Sequence, residues 1–168
     1  MTSTRQEQFL LLINANKGLI YKVARAYCSD AENRQDLIQE VIIQLWQSFD
    51  QYNDQFKQST WIYRIALNVA ISFYRKDTRR KSISLPITDD RLLTIGNDEP
   101  TETENNINQL HQFLAELKEL DRALMFLYLE EKSHQQIAEI LGISTTNVST
   151  KIGRIKEQLK RKFSTLTT

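Results

Sequence analysis

The stretch SHQQIAEILGISTTNVSTKIGRIKEQLKRKF, from Ser133 to Phe163, leaves the chain few ways to fold. Ser133 stands three residues before Gln136. That is the spacing of a capping box, in which the hydroxyl accepts from an orphan N–H of the first helical turn and the amide side chain reaches back to the cap. A helix therefore starts there. Ile137, Ala138, Ile140 and Leu141 give it an apolar face, small at Ala138 where a following helix has to pack closely. Gly142 supplies the left-handed residue that ends it, and Ser144 caps a second helix. On that helix Val148, Ile152, Ile155 and Leu159 recur at helical spacing as one inward stripe, leaving Thr146, Asn147, Ser149, Thr150 and Arg154 outside it. A helix, a tight glycine turn and a second helix that grows more basic toward its end make a helix-turn-helix, whose second helix docks in the DNA major groove. The alternative is a plain helical hairpin with a solvated basic face. The ordered succession of capping box, small residue, glycine turn and inward stripe favours the helix-turn-helix.

The rest of the chain is also helical by pattern, with only four glycines, two prolines and no alternating Val/Ile/Thr runs. Residues 1–81 carry helix-period apolar positions with breaks near Lys17-Gly18, over Ser29 to Asn33 and over Asn53 to Gln58, which is room for about four helices. Residues 82–105 differ in kind. They hold both prolines, Pro86 and Pro100, and set Asp89, Asp90, Asp98, Glu99, Glu102 and Glu104 against a lone Arg91, the composition of a flexible acidic linker. Periodicity returns over residues 106–168. The expected fold is all-α: an N-terminal four-helix domain, the linker, and a C-terminal helix-turn-helix domain.

The net charge is only +1, yet the cations are concentrated. Arg75, Lys76, Arg79, Arg80 and Lys81 form one cluster and Lys151, Arg154, Lys156, Lys160, Arg161 and Lys162 another, together half of the 22 lysines and arginines. The low net charge taken alone argues against a uniformly basic nucleic-acid binder, but the cations are not spread evenly. Cys28 is the single cysteine, so neither an intrachain disulfide nor a thiolate metal site is expected, and a reducing, cytoplasmic setting fits best. The longest apolar run, Phe9 to Ile13, is far too short to cross a bilayer, so no membrane insertion is expected. An enzyme is disfavoured. His111 and His134 are the only histidines, with no metal-ligand spacing and no glycine-rich phosphate loop, so catalytic residues, cofactors and metals are all expected to be absent. His134 reads as a first-turn helix residue or phosphate contact.

The N-terminal half carries two further motifs. DLIQEVIIQLWQSFDQY, Asp36 to Tyr52, puts Leu37, Ile38, Val41, Ile42, Leu45 and Phe49 on one helix face and Asp36, Gln39, Glu40 and Gln44 on the other. After a polar loop, STWIYRIALNVAISFYRKDTRRK, Ser59 to Lys81, mixes aromatic, amide and basic residues. Here the sequence resembles region two of the bacterial sigma factors, and the C-terminal half resembles region four. With a linker where region three of primary sigma factors would lie, the arrangement is similar to the extracytoplasmic-function group. The resemblance implies an alternative sigma factor that binds core RNA polymerase through the clamp helices of its largest subunit, reads the −10 and −35 promoter elements, and answers to an anti-sigma factor.

Carried onto this sequence, the resemblance assigns Asp36, Gln39, Glu40 and Gln44 to polymerase. Carboxylates and amides on a rigid helix would fix the register against a partner's arginines. Asn53, Phe56, Lys57, Ser59, Thr60, Trp61, Arg64, Asn68 and Arg75 fall to the −10 element. Bases leaving the stack need aromatic surfaces and amide partners, which Tyr63 and Tyr74 also offer. Thr146, Asn147, Ser149, Thr150, Lys151, Arg154 and Lys156 fall to the −35 element. Trp46 reads as core or interface edge. Primary sigma factors carry tandem tryptophans that wedge the bubble, where this chain has Arg64-Ile65, so weaker melting is expected; Gln58 stands where an aromatic is common. The acidic linker reads either as a solvated tether or as a polyanion that occupies the RNA path of polymerase. A helix-turn-helix repressor or activator that is not a polymerase subunit is the rival reading, and binding to core polymerase separates the two.

Overall fold

Local capping decides where each helix begins. The computed structural model describes residues 4–52, 55–83, 109–110 and 112–166. Thr4 and Glu7 form a reciprocal capping box that starts α1 (Arg5–Ala15). Asn16 ends it, donating from Nδ2 to the Leu12 carbonyl at 2.9 Å, and α2 (Lys17–Tyr27) follows at once with Gly18 inside it. Asp30 caps α3 (Ala31–Ser48) by accepting from the Glu32 N–H at 3.2 Å, so this helix begins within the expected break. The Arg34 side chain closes the α2–α3 turn by donating to the carbonyls of Cys28 and Ser29. A 3-10 turn, Phe49–Gln51, leads toward α4 (Gln58–Ile83), which runs two residues into the stretch assigned to the linker. The remainder of that stretch lies outside the described residues.

The C-terminal half is built as its sequence prescribes. Residues 112–116 are helical, followed by α5 (Glu119–Leu129), α6 (His134–Leu141) and α7 (Thr145–Leu166). At the head of α6 the Gln136 N–H donates to Ser133 Oγ at 3.1 Å and the Ser133 N–H to Gln136 Oε1 at 2.9 Å. Gly142 has φ 71° and donates to the Ala138 carbonyl at 2.8 Å. Ser144 Oγ accepts from the Asn147 N–H at 3.1 Å. Val148, Ile152 and Ile155 are buried, and Leu159 is packed against Phe113 and Met125 in a small second cluster.

Helix α4 is the centre of the molecule. Ile62, Tyr63, Ala66, Leu67 and Ala70 are buried along it, too broad a band for one neighbour. One flank meets Val23 and Ala24 of α2 and Leu37, Val41 and Leu45 of α3. The other belongs to the same core as Leu124 and Leu127 of α5, Ile137 and Ile140 of α6 and Val148 of α7. The two halves are thus packed on each other, where the sequence suggested separate modules on a tether.

One residue pins this junction. Arg122 is only 4% exposed and donates to the carbonyls of Leu114 and Ala115 in its own half and to Tyr74 Oη, at 3.4 Å, in the other. Its guanidinium lies over the rings of Tyr74, at 4.4 Å, and Tyr27, at 5.3 Å. Cation–π contacts gain strength when desolvated, which suits a buried arginine met by rings and carbonyls. Tyr27 Oη donates to the Glu119 carbonyl at 3.1 Å, and the rings of Tyr63 and Phe126 meet edge to face. Exposed pairs Lys22–Glu130, at 3.0 Å, and Arg75–Glu119, at 3.2 Å, rim the contact and contribute little individually. A hydrogen bond from the Glu119 N–H, and secondly Arg75, hold the Glu119 carboxyl below its ordinary range.

Two consequences are measurable. Gly142→Ala should lower stability by roughly 1–2 kcal/mol because its φ is left-handed. Gly153→Ala, in the interior of α7 with nothing within 4 Å of an added Cβ, should raise it by roughly 0.5–1 kcal/mol; thermal unfolding of the two variants should shift in opposite directions. Burial, aided by nearby Glu130, pushes the Tyr63 phenol up to about 12, and burial raises Tyr27 further still against the opposing charge of Arg122. Both folded values exceed the unfolded one near 10, so this stabilisation is complete below about pH 10 and is lost as pH climbs through the folded values. Tyrosinate absorbance should show these two phenols ionising late, together with loss of the junction; titration of all six tyrosines in one step near 10 would contradict the burial.

Candidate nucleic-acid interface

Burial of Leu37, Val41 and Leu45 fixes the rotation of α3 and leaves Asp36, Gln39, Glu40 and Gln44 exposed. Ile43, 48% exposed, sits among them, three residues on from Glu40. Sequence reading assigned Ile43 to neither face. The available signal was its position out of step with the Leu37–Val41–Leu45 spacing. Trp46 lies at the edge of α1 and α3, with the Arg5 guanidinium 4.4 Å over its ring and Phe9 edge-on at 5.0 Å.

A second surface forms where the 3-10 turn meets the start of α4. A cavity of about 170 Å³ is lined by Gln51, Tyr52, Gln55, Phe56, Trp61 and Arg64. Tyr52 organises it: its ring packs on Trp61 at 4.9 Å and its hydroxyl donates to the Phe56 carbonyl at 3.4 Å. The Arg64 guanidinium covers the Phe56 ring at 4.4 Å. Phe56, Trp61 and Arg64 are therefore brought together as the sequence suggested. Tyr52 was missed there, although an aromatic at the edge of a polar loop was a usable signal.

Other candidates fall elsewhere. Thr60 is 5% exposed and buried beneath the surface, so it offers no direct contact to a base. Tyr63 is 4% exposed against Phe126, and Tyr74 lies under Arg122; both serve the junction. Lys57 is exposed, Ser59 half-buried, and Asn53 lies outside the described residues. Asn68 is exposed two turns along α4 from Trp61, in a separate groove where Arg64, Asn68 and Ile71 face Ile140, Leu141 and Gly142. Arg64 Nε donates across this groove to the Glu139 carbonyl at 2.8 Å.

On α7, Thr146, Asn147, Ser149, Thr150, Arg154 and Lys156 are exposed on one side of the buried stripe. Lys151 is half-buried, its amine 4.0 Å from Asp121, and Lys156 lies 4.5 Å over the Tyr128 ring. Lys160 and Arg161 continue the basic face, while Lys162 pairs with Glu116. Short polar side chains over the first two turns, backed by cations further along, match base-edge contact at one end and phosphate contact at the other. His134 is exposed in the first turn of α6, and Cys28 is buried at the end of α2. No cluster of His, Cys, Asp and Glu suited to a metal occurs among the described residues. None of the described helices is long and apolar enough to cross a membrane.

Comparison with known proteins agrees with this layout. Sigma-70 region 2 matches residues 12–80, and Sigma-70, region 4 matches residues 107–159. The chain is 26% identical to the ECF RNA polymerase sigma factor SigW of Bacillus subtilis (strain 168), covering 96% of this chain and 91% of SigW. It is 24% identical to the ECF RNA polymerase sigma-E factor of Haemophilus influenzae, with 96% and 90% covered. Among solved structures it resembles CnrH, seen in complex with the cytosolic domain of CnrY, with a TM-score of 0.68 and 18% identity over 96% of this chain and 90% of that one. It also resembles the sigma factor RpoE of Bartonella quintana, seen in complex with the anti-sigma factor NepR, with a TM-score of 0.66 and 18% identity over 95% and 96%.

Proposed function

The chain belongs to the extracytoplasmic-function group of the sigma-70 family, and from that premise we propose how an alternative sigma factor directing promoter-specific initiation divides its work among these surfaces. The exposed face of α3 docks on the clamp helices of core RNA polymerase, with Asp36, Gln39, Glu40 and Gln44 setting the register by charge-assisted hydrogen bonds. The observation that carries this reading is an exposed helix face of two carboxylates and two amides, backed by buried Leu37, Val41 and Leu45, on the same chain as an exposed helix-turn-helix. Burial of Leu37, Val41 and Leu45 at 0–1% exposure holds the docking residues on a rigid platform, which is what a register-setting contact needs.

The cavity roofed by Phe56 and walled by Tyr52 and Trp61 receives an unstacked base of the −10 element, with Lys57, Arg64 and Arg75 along the backbone and Asn68 as an amide partner. Thr60 is excluded from the set by its burial. Arg64 and Ile65 occupy the wedge positions; both are half-buried, so strand separation leans on capture of bases after opening. Thr146, Asn147, Ser149, Thr150 and Arg154 read the −35 element, with Lys151 and Lys156 nearer phosphates. The working units are residues 1–81 and 106–168 on either side of the acidic segment 82–105. The chain acts in the cytoplasm without enzymatic chemistry of its own. An anti-sigma factor is a proposed regulator, supported by the partners bound to CnrH and RpoE.

The joint substitution Asp36→Lys and Glu40→Lys should abolish capture of core polymerase while the helical circular-dichroism spectrum and unfolding midpoint stay near wild type. Capture at wild-type strength would remove the docking assignment and favour a free-standing repressor or activator. On −35 duplexes, Thr150→Ala or Arg154→Ala should relax base preference by roughly 1–3 kcal/mol, the cost of a lost base contact. Lys160→Ala should weaken binding to all sequences alike and flatten the salt dependence. Equal losses on cognate and scrambled duplexes for all three variants would mean that α7 faces DNA differently.

A further inference from the structure

The exposed face of α3 is not wholly polar. At 3.6 residues per turn, Ile43 points within about 20° of Asp36 and about 40° of Gln39, which puts it in the middle of that face and not at its margin. It is 48% exposed. Trp46, three residues further on and 37% exposed, continues the row toward the C-terminal end of the helix. These are the two exposed large apolar side chains that α3 carries, and both fall on the side of Asp36, Gln39 and Glu40.

Contacts from α1 fix where Trp46 points. The Arg5 guanidinium stands 4.4 Å over the indole ring, donates from Nη2 to the Trp46 carbonyl at 3.4 Å and pairs through Nε with Asp50 Oδ1 at 2.9 Å. Phe9, one turn along α1, meets the same ring edge to face at 5.0 Å and the Phe49 ring at 5.4 Å. The last turn of α3 has no basic residue of its own, so Arg5 brings to the negative end of this helix a charge from another one. An exposed ion pair contributes little to stability by itself, and both partners here are open to water. Together the three contacts hold one indole in one orientation, with its uncovered part a helical turn from Ile43.

Charge alone gives such a face recognition and a fast encounter more than a long residence, because Asp36 and Glu40 have water as their alternative partner. Interfaces hold where an apolar side chain at the centre is shut off from water by polar neighbours, and tryptophan is prominent among such anchors. Ile43, set among Asp36, Gln39 and Glu40, has that layout.

We propose that Ile43 and Trp46 form the apolar anchor of the polymerase contact, and that Arg5 is a positioning residue that fixes the Trp46 ring for it. The occupant is a helix of core polymerase that presents an aliphatic side chain between cations. The cations meet Asp36 and Glu40, and the aliphatic group is buried between Ile43 and the indole. This rests on the sigma-factor reading and adds to it what holds the complex once it has formed. It also gives a part to α1, since Arg5 precedes residue 12, where the match to region 2 begins.

Association and dissociation of core polymerase on the immobilised full-length chain test this. Ile43→Ala is an exposed change to a better helix former, so the fold survives it. It should raise koff at least about tenfold through lost aliphatic burial, while kon and its salt dependence stay at wild type. Arg5→Lys keeps a cation at the end of α3 and a partner for Asp50 but has no planar fork to lie over the ring. Its unfolding midpoint should match wild type while koff rises about fivefold, and Arg5→Ala should raise koff as far or further. Hydroxyl-radical footprinting should show Ile43 and Trp46 shielded in the complex, whereas Leu11, 68% exposed and turned away from Phe9 on α1, stays reactive. A wild-type koff for Ile43→Ala, or undiminished reactivity of Trp46 in the complex, overturns the anchor. If Arg5→Lys dissociates at the wild-type rate, Arg5 is only a structural brace and its positioning role falls. Either result with a wild-type chain that captures core polymerase leaves the sigma reading standing, whereas a wild-type chain that captures none sinks that reading and the anchor with it.

Discussion

Arg122 is the contact on which the arrangement of the whole molecule depends. A guanidinium cannot shed water without compensation, and here it has two carbonyls in its own half and two tyrosine faces and a hydroxyl in the other. Removing the partners in either half strands buried polar groups in the other. The buried arginine therefore fixes which residues of α5 meet which residues of α2 and α4, a selectivity that the apolar contacts around it do not supply. Leucine and isoleucine tolerate sliding, but a planar fork of donors does not.

Helix α4 serves as the core of one half and the floor of the other, and it carries the surface proposed to meet nucleic acid. It manages this with fully buried small residues, Ala66 and Ala70, on its packed side, and with Arg64 at the groove and Arg75 on the outer rim. Its versatility has a cost in independence. Arg64 bridges Phe56 and the Glu139 carbonyl, so a change in how the C-terminal half is seated is transmitted to the aromatic cavity through one side chain. The aromatic cavity proposed to capture a base and the seating of the C-terminal half meet at a single guanidinium.

The C-terminal reader was legible almost residue by residue, because its signals are local. A capping box spans three residues, a left-handed glycine needs only its own φ, and an inward stripe repeats within one helix; all three were found where the spacing put them. The exposed polar face of α3 was legible for the same reason, apart from Ile43, which breaks the apolar period on the exposed side. The −10 candidates fared less evenly. Trp61, Tyr63 and Tyr74 are chemically alike in a one-dimensional reading, and nothing along the chain shows that Tyr63 is covered by Phe126 and Tyr74 by Arg122, contacts made with residues far away in sequence. Thr60 was misplaced likewise, since the burial of a first-turn residue depends on what packs over the helix end.

By itself, the sequence determined the helices, their caps and most of the faces they present, because these follow from periods and spacings within about twenty residues. Only the tertiary structure decided that the halves close on one another, that Tyr52 completes the aromatic cavity, and that Arg64 and Arg75 are held by the C-terminal half. The physical reason is one of range. A helix hydrogen bond links residues four apart and leaves a periodic trace, whereas Arg122 meets Tyr74 across 48 residues and Arg64 meets Glu139 across 75, and contacts at that separation leave no pattern along the chain.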